Sequence, residues 1–172
     1  MKKKLSKHIF DIATNAPAVY CYQYKDESGM FYVTDTHRLI TYDTVAMTTP
    51  ALSINAHALD MIKRMKAYVG MDKSCVRFEL PTVNEIKDNI RNLVGKCYSL
   101  PVEYGTDKFA IDARYLWKAM EALNSKVCYI AEDNPHKNGI FLYEDDDLTS
   151  PVKEMILPIV RKDPEKVGFF LR

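Results

Sequence analysis

The sequence has no long apolar run and only four cysteines, which lie far apart as Cys21, Cys75, Cys97 and Cys128. No two of them form a CxxC pair, so no structural zinc site is expected, and this usage favours a reducing, cytoplasmic setting. No apolar segment follows the basic start Met1-Lys2-Lys3-Lys4, and no run approaches the roughly 20 residues that a membrane span needs. The sequence therefore predicts a protein that does not enter a membrane.

The chain also lacks a strong net charge, since 24 Lys and Arg residues face 23 Asp and Glu residues. The formal charge of +1 creates no global field that would hold nucleic acid by counterion release. Any contact with DNA must then depend on local charge or on topology. The 172 residues, 47% of them hydrophobic, are enough to build a core without disulfide or metal staples.

The sequence motifs of common enzymes are missing as well. There is no Gly-x-Ser-x-Gly elbow, no phosphate-binding loop and no HExxH pair. Asp35, His37 and Arg38 offer an acid, a base and an anion clamp, which keeps a small hydrolase open as a rival hypothesis. The acidic run Glu144-Asp145-Asp146-Asp147 lacks the alternating ligands of a calcium loop and predicts a solvated turn. We therefore expect no enzyme activity, no metal and no cofactor.

Apolar residues at helical spacing predict four helices. They cover residues 5–15, residues 56–68, a segment from the capping box Thr82-Val83-Asn84-Glu85 to Gly95, and a segment that follows Asp112. Alternating patterns predict strands at 19–24, 30–33, 39–47, 51–54, 76–80, 109–111, 126–131, 139–143 and 153–160. This order predicts an α+β fold with antiparallel sheet.

A helix followed by three strands occurs at both ends of the chain. We therefore expect a single domain, 1–172, with two pseudo-repeats at about residues 1–50 and 107–161. A helical insertion at about residues 51–106 would separate the two. No low-complexity linker marks a further domain boundary.

Two segments of the chain resemble a known family. Residues 32–40, Tyr-Val-Thr-Asp-Thr-His-Arg-Leu-Ile, are similar to the strand end Thr-Asp-Gly-His-Arg-Leu-Ala in the DNA polymerase III β sliding clamp. Residues 155–161, Met-Ile-Leu-Pro-Ile-Val-Arg, resemble its closing apolar-apolar-Met-Pro-Met-Arg segment. The likeness covers most of the chain in order, except residues 70–105. It implies the DNA-clamp-like fold, in which helix-plus-antiparallel-sheet repeats place helices along a DNA channel and sheets outside.

The resemblance implies a non-enzymatic protein that binds partner peptides in a hydrophobic groove. Aliphatic side chains would desolvate an anchor residue of the peptide, while a threonine and an arginine would fix its polar groups. Where the family has glycine this chain has Thr36, which would be strained if the turn requires a positive φ. The residues carried over are Thr34, His37, Arg38 and Leu39 for one wall, and Ile156, Leu157, Pro158 and Ile159 for the other.

The implied partners are double-stranded DNA and the linear peptides of replication or repair proteins of a bacterium, phage or mobile element. A full clamp ring has about six such domains, so this chain would encircle DNA only as a homo-oligomer. The alternative is a structural or regulatory interaction module on the same scaffold that does not bind DNA. The residues expected to face DNA, if the helices lie side by side on one sheet, are Lys7, Lys63, Lys66, Arg114 and Lys118.

Overall fold

The computed structural model describes residues 3–15, 22–43, 56–67, 75–92, 99–104, 107–133 and 135–159. The helices are α1 Lys3–Asn15, α2 Ala56–Ala67, α3 Val83–Asn92, α4 Ala113–Leu123 and the short α5 Pro135–Asn138. The strands are β1 Tyr22–Lys25, β2 Phe31–Thr34, β3 Arg38–Tyr42, β4 Cys75–Glu79, β5 Ser99–Tyr104, β6 Asp107–Asp112, β7 Val127–Ala131, β8 Ile140–Tyr143 and β9 Lys153–Ile156.

The strands form a seven-stranded sheet in the order β1-β2-β3-β9-β8-β7-β4 and a second sheet of β5 and β6. Every pair is antiparallel. β9 lies at the centre of the large sheet, between β3 and β8. It therefore joins two three-stranded meanders, β1 to β3 and β7 to β9, each of which follows a long helix in the chain.

Side chains of the large sheet alternate between two faces, as the period of two in a strand requires. Val33, Ile40 and Ile130 pack with apolar residues of α1, α3 and α4. Their neighbours in the chain, including Tyr32 and Leu39, point to the other face and pack with Met61, Ile62 and Met65 of α2. The helices are therefore divided, with α1, α3 and α4 on one face of the sheet and α2 on the other.

The predicted α+β fold with about four helices is confirmed. The capping box at α3 forms as expected, because Glu85 Oε2 accepts the Thr82 N–H at 2.7 Å and Thr82 Oγ1 accepts the Glu85 N–H at 3.2 Å. Asp112 caps α4 by accepting the Arg114 N–H at 2.8 Å. The predicted strand at 51–54, the stop at Gly95 and the tail after residue 159 lie outside the described residues.

The structure adds features that the sequence patterns did not predict. α5 and β5 were not expected, so the segment 51–106, expected as a helical insertion, contains the unpredicted strand β5 as well as the predicted strand β4 and the helices. The acidic run is a short 3₁₀ turn, Glu144–Asp146, yet it is more than a solvated loop. The Asp146 carboxylate accepts hydrogen bonds from Ser125 Oγ at 2.7 Å and from the Lys126 N–H at 2.9 Å, and so anchors the start of β7.

Two further features concern membrane crossing and metal binding. Over the described ranges, no helix combines the length and the apolar character that a membrane crossing requires. Across the same ranges, no three His, Cys, Asp or Glu side chains are grouped so that they would hold a metal ion.

Candidate functional site

The turn between β2 and β3 is held by its own side chains. Asp35 Oδ1 accepts the backbone N–H groups of His37 at 3.1 Å and Arg38 at 2.9 Å. Thr34 Oγ1 donates to the Arg38 carbonyl at 2.6 Å and accepts the Thr36 N–H at 3.0 Å. Short polar side chains that bond their own backbone in this way fix tight turns. The turn is therefore a defined structure at one end of strands β2 and β3.

Thr36 occupies a left-handed conformation with φ of 75°. This is the position at which the clamp sequences have glycine, and a β-branched residue there is strained by about 1–2 kcal/mol. The hydrogen bonds of Thr34 and Asp35 determine the turn strongly enough to keep this conformation without a glycine. The positive φ at this position therefore does not require a glycine.

Arg38 is buried beside the turn and is only 1% exposed. Its Nε and Nη2 atoms donate to Asp35 Oδ2 at 2.9 Å and 2.6 Å, and its guanidinium lies 4.2 Å above the centre of the Tyr115 ring of α4. Nη1 has no hydrogen-bond partner among the described residues. Burial raises the pKa of Tyr115, and the nearby Asp35 charge adds to this rise. The guanidinium, including Nη1, is thus a buried part of the turn.

The hydrolase hypothesis finds no support in this geometry. The Asp35 carboxylate bonds to Arg38 and to two backbone amides, so it does not orient an imidazole as a catalytic acid would. The His37 side chain is exposed and stacks against Tyr115 with ring centroids 6.2 Å apart. Asp35 is therefore a structural residue of the turn.

The C-terminal segment reaches the same turn through β9. Arg38 pairs with Ile156 in the sheet, and the Leu157 N–H donates to the His37 carbonyl at 2.9 Å. Two residues later the Ile159 N–H donates to the Ala110 carbonyl of β6 at 2.8 Å. Pro158 lies between them and has no N–H to donate. None is needed there, because the N–H groups that bond to the two sides are those of Leu157 and Ile159. The segment thus links the turn on one side to the smaller sheet on the other.

The eight residues expected at the groove lie in three neighbouring strands, β2, β3 and β9, and in the residues that adjoin them. They divide into an inner and an outer group. Thr34, Arg38, Leu39 and Ile156 are at most 2% exposed; Leu39 packs in the cluster on the α2 face of the sheet and Ile156 in the cluster on the opposite face. The outer group is His37, which is exposed, with Leu157, Pro158 and Ile159, which are half-buried. We call these last four residues the groove surface.

Sequence reasoning missed two aromatic neighbours of the turn. Tyr115 supplies the ring on which Arg38 and His37 lie, and its place three residues after the N-cap Asp112 gave no signal of that contact. His57 at the start of α2 has its Nε2 atom 3.3 Å from the Thr36 carbonyl. Neither contact is local in the chain, so only the folded structure brings these residues to the turn.

Comparison with solved structures finds bacterial sliding clamps. DNA polymerase III subunit beta from Borrelia burgdorferi, solved in complex with a natural product, matches with a TM-score of 0.53 and 12% identity over 93% of this chain. The Helicobacter pylori beta clamp bound to a DNA ligase peptide matches with a TM-score of 0.50 and 11% identity over 92% of this chain. The fold is clamp-like. The match spans 63% of each clamp chain. No protein-family model and no curated protein sequence matches.

The basic residues expected to face DNA do not share one surface of this clamp-like fold. Lys7 of α1 and Lys118 of α4 line the same cleft, which has a volume of about 390 Å³. Arg114 of α4 pairs with Asp112. Lys63 and Lys66 belong to α2, which packs on the opposite face of the sheet. The condition for one basic surface, that the helices lie side by side on one sheet face, is therefore not met by α2.

Proposed function

We propose that the chain is a non-enzymatic, sliding-clamp-like protein that binds linear peptides of partner proteins at the groove surface. The observation that carries this proposal is the hydrogen bond from Leu157 to His37, because it joins two walls that lie more than a hundred residues apart in the sequence. The structural likeness to the Helicobacter pylori clamp, which is bound to a DNA ligase peptide, supports the same role.

In this proposal the inner and outer residues have different roles. Leu157, Pro158 and Ile159 supply half-buried apolar surface on which a peptide side chain loses water. Arg38 is buried and holds the turn from inside through its hydrogen bonds to Asp35. Thr34, Leu39 and Ile156 hold the walls in place from inside the core and do not contact the peptide.

Selection from a displayed library of linear peptides, with the DNA ligase peptide as a second probe, tests the groove surface. We expect His37→Ala and Ile159→Ala each to weaken binding of the selected peptides by about tenfold, because each removes contact area from the surface. Phe10→Ala on α1 is the matched control, since Phe10 is 53% exposed and lies outside the groove surface. Fluorescence anisotropy measures the affinities.

Two results would contradict the peptide proposal. One is a selection that yields no binding peptide. The other is a set of peptides whose affinities fall no more with His37→Ala or Ile159→Ala than with Phe10→Ala. Arg38→Ala is a poorer test, because it leaves the Asp35 carboxylate buried without its partner and would disturb the turn itself.

Contact with double-stranded DNA is a further part of the proposal, and it is limited to the face that carries α1 and α4. Lys7 and Lys118 lie in one cleft there. We expect Lys7→Glu combined with Lys118→Glu to abolish DNA binding in a shift assay, and Lys7→Ala with Lys118→Ala to reduce the salt slope by about 2. Lys63→Glu, on the other face, should leave binding unchanged. Equal losses from both sets of variants would reject this surface.

A specific observation favours the alternative of an interaction module without DNA binding. Asp11 and Glu121 line the same cleft as Lys7 and Lys118, and Glu121 Oε1 accepts from Lys87 Nζ at 2.8 Å. These carboxylates offset part of the positive charge that a phosphate backbone would meet. A shift assay in which neither wild type nor variants bind DNA at low salt would establish this alternative.

The proposal includes the arrangement of the whole chain. The orders α1-β1-β2-β3 and α4-β7-β8-β9 support two pseudo-repeats in a single domain, with the segment 51–106 inserted between them. Encirclement of DNA would require a homo-oligomer, because one such domain cannot close a ring. A cytoplasmic role in replication or repair in a bacterium, phage or mobile element belongs to the same proposal, and the clamp-like fold supports it.

A further inference from the structure

A second cavity lies on the α2 face, away from the groove surface. It has a volume of about 670 Å³ and is bounded by the hairpin between β1 and β2, the end of α2 and the connection from β8 to β9. Tyr32, Thr41 and Lys153 line it from neighbouring strands. They lie towards the opposite ends of these strands from Thr34, Arg38 and Ile156. The volume is within the range of about 300–1,000 Å³ that small-molecule sites occupy.

Lys153 is a buried lysine that lines this cavity. The residue is 5% exposed, and burial lowers the pKa of its amine to about 8. Its Nζ atom lies 5.8 Å from the centre of the Tyr143 ring. Among the described residues, neither a carboxylate nor a hydrogen-bond acceptor pairs with it. Buried lysines are normally paired, so an unpaired ammonium that faces a cavity favours a negatively charged ligand.

The other ammonium in the cavity is already neutralised. Lys66 Nζ lies 2.7 Å from Asp26 Oδ2, and the Tyr32 hydroxyl donates to the same oxygen at 3.0 Å. Burial would raise the pKa of Asp26, but the hydrogen bonds from Lys66, Ser28 and Tyr32 outweigh it and hold that pKa well below its usual range. Burial and the bond to Asp26 raise the pKa of Tyr32 to about 12. Lys153 therefore contributes the one positive charge of the lining that the described residues leave unmatched.

Apolar groups complete the lining. Met30, Met65 and Leu148 lie around the cavity, and the Tyr143 ring lies next to the Lys153 amine. Methionine side chains are adaptable and pack well against aromatic rings. A ligand that fits these walls would therefore have an apolar or aromatic body.

We propose that this cavity binds a small organic carboxylate, in which an apolar or aromatic body fills the space beside Met30, Met65 and Leu148 and the carboxylate pairs with Lys153. This site lies apart from the groove surface and does not depend on peptide binding. A carboxylate would supply the missing partner of the ammonium, in a low-dielectric setting that strengthens the charge-assisted hydrogen bond.

Matched pairs of carboxylates and neutral amides test the site. We expect at least one acid of the set phenylacetate, indole-3-acetate and N-acetylphenylalanine to bind about tenfold more tightly than its own amide, as a charge-assisted bond implies. Isothermal titration calorimetry gives both affinities. Lys153→Met removes the ammonium and keeps the side-chain volume, and should abolish the preference for the acid. Lys63→Met, on the exposed face of α2, should retain it.

The proposal is overturned if no acid of the set binds more tightly than its amide at millimolar concentration. It is also overturned if the preference persists in Lys153→Met. Circular dichroism shows whether each variant is folded. A folded Lys153→Arg variant that keeps the preference while Lys153→Met loses it would show that the positive charge, and not the shape of the cavity, selects the ligand.

Discussion

Replacement of Gly139 by alanine is expected to lower the free energy of unfolding by about 3 kcal/mol or more. Gly139 has φ of +70°, and a Cβ atom at this position would lie 2.0 Å from the Ile156 carbonyl oxygen. A positive φ costs an L-residue about 1–2 kcal/mol, and forced overpacking costs about 1–3 kcal/mol. The obstructing atom belongs to the backbone of β9, so no side-chain rotation relieves the contact. Urea denaturation measures the loss.

Gly29→Ala is the matched control for this experiment. Gly29 has φ of +88°, yet its added Cβ atom would meet no atom of the described residues within 4 Å. The Gly29→Ala variant should therefore lose only the part of the free energy of unfolding that comes from the positive φ, about 1 kcal/mol. Equal losses in the two variants would contradict the view that close approach of β8 to β9 makes Gly139 necessary. Gly139→Ala should also weaken peptide binding, since Leu157 follows directly after the displaced carbonyl.

The sequence predicted the helices and most of the strands because these depend on local patterns. Leu5, Ile9 and Ile12 recur at helical spacing and are all buried against the sheet. The place of β9 at the centre of the sheet is not local information. β9 pairs with β3, which lies more than a hundred residues earlier, and no alternation within either strand specifies that partner. Only the family resemblance indicated that the two segments meet.

Local patterns also could not show that the basic residues lie on different surfaces. Periodicity shows which side of a helix is polar, so it placed Lys63 and Lys66 away from the core. It does not show which face of a sheet the helix covers. Met61 and Met65 of α2 pack with Tyr32 and Leu39, whereas the apolar stripes of α1 and α4 pack with Val33 and Ile40. Adjacent residues of one strand thus point to opposite faces of the sheet and pack with different helices. Which helix covers which face can be read only from the assembled sheet.

The turn shows the opposite case, in which the sequence carries a local signal. Aspartate commonly accepts backbone amides in tight turns, and Asp35 accepts those of His37 and Arg38, although an aspartate beside a histidine also suggests a catalytic acid. In the fold this side chain satisfies two amides and one guanidinium. A buried acid with so many partners stabilises structure, and the proposed peptide recognition falls to the exposed and half-buried residues around it.

Asp35→Ala is expected to lower the free energy of unfolding by about 3–5 kcal/mol. It leaves the Arg38 guanidinium, which is 1% exposed, buried without its carboxylate partner. It also removes the acceptor of the His37 and Arg38 amides, so the turn loses the bonds that define it. Because the groove surface begins at His37, peptide binding should fall together with stability. Thermal and urea denaturation measure the first effect, and anisotropy measures the second.

A double variant separates the buried charge from the turn geometry. Arg38→Met fills a similar volume without a charge, so Asp35→Ala with Arg38→Met should be less destabilised than Asp35→Ala alone. Thr36→Gly is the matched control in the same turn, because it removes no hydrogen bond and relieves the φ of 75°. It should be neutral or stabilise the fold by about 1 kcal/mol. If the double variant is as unstable as the sum of its single variants, the two side chains do not act as a buried pair, and the turn depends on Asp35 through its backbone bonds alone.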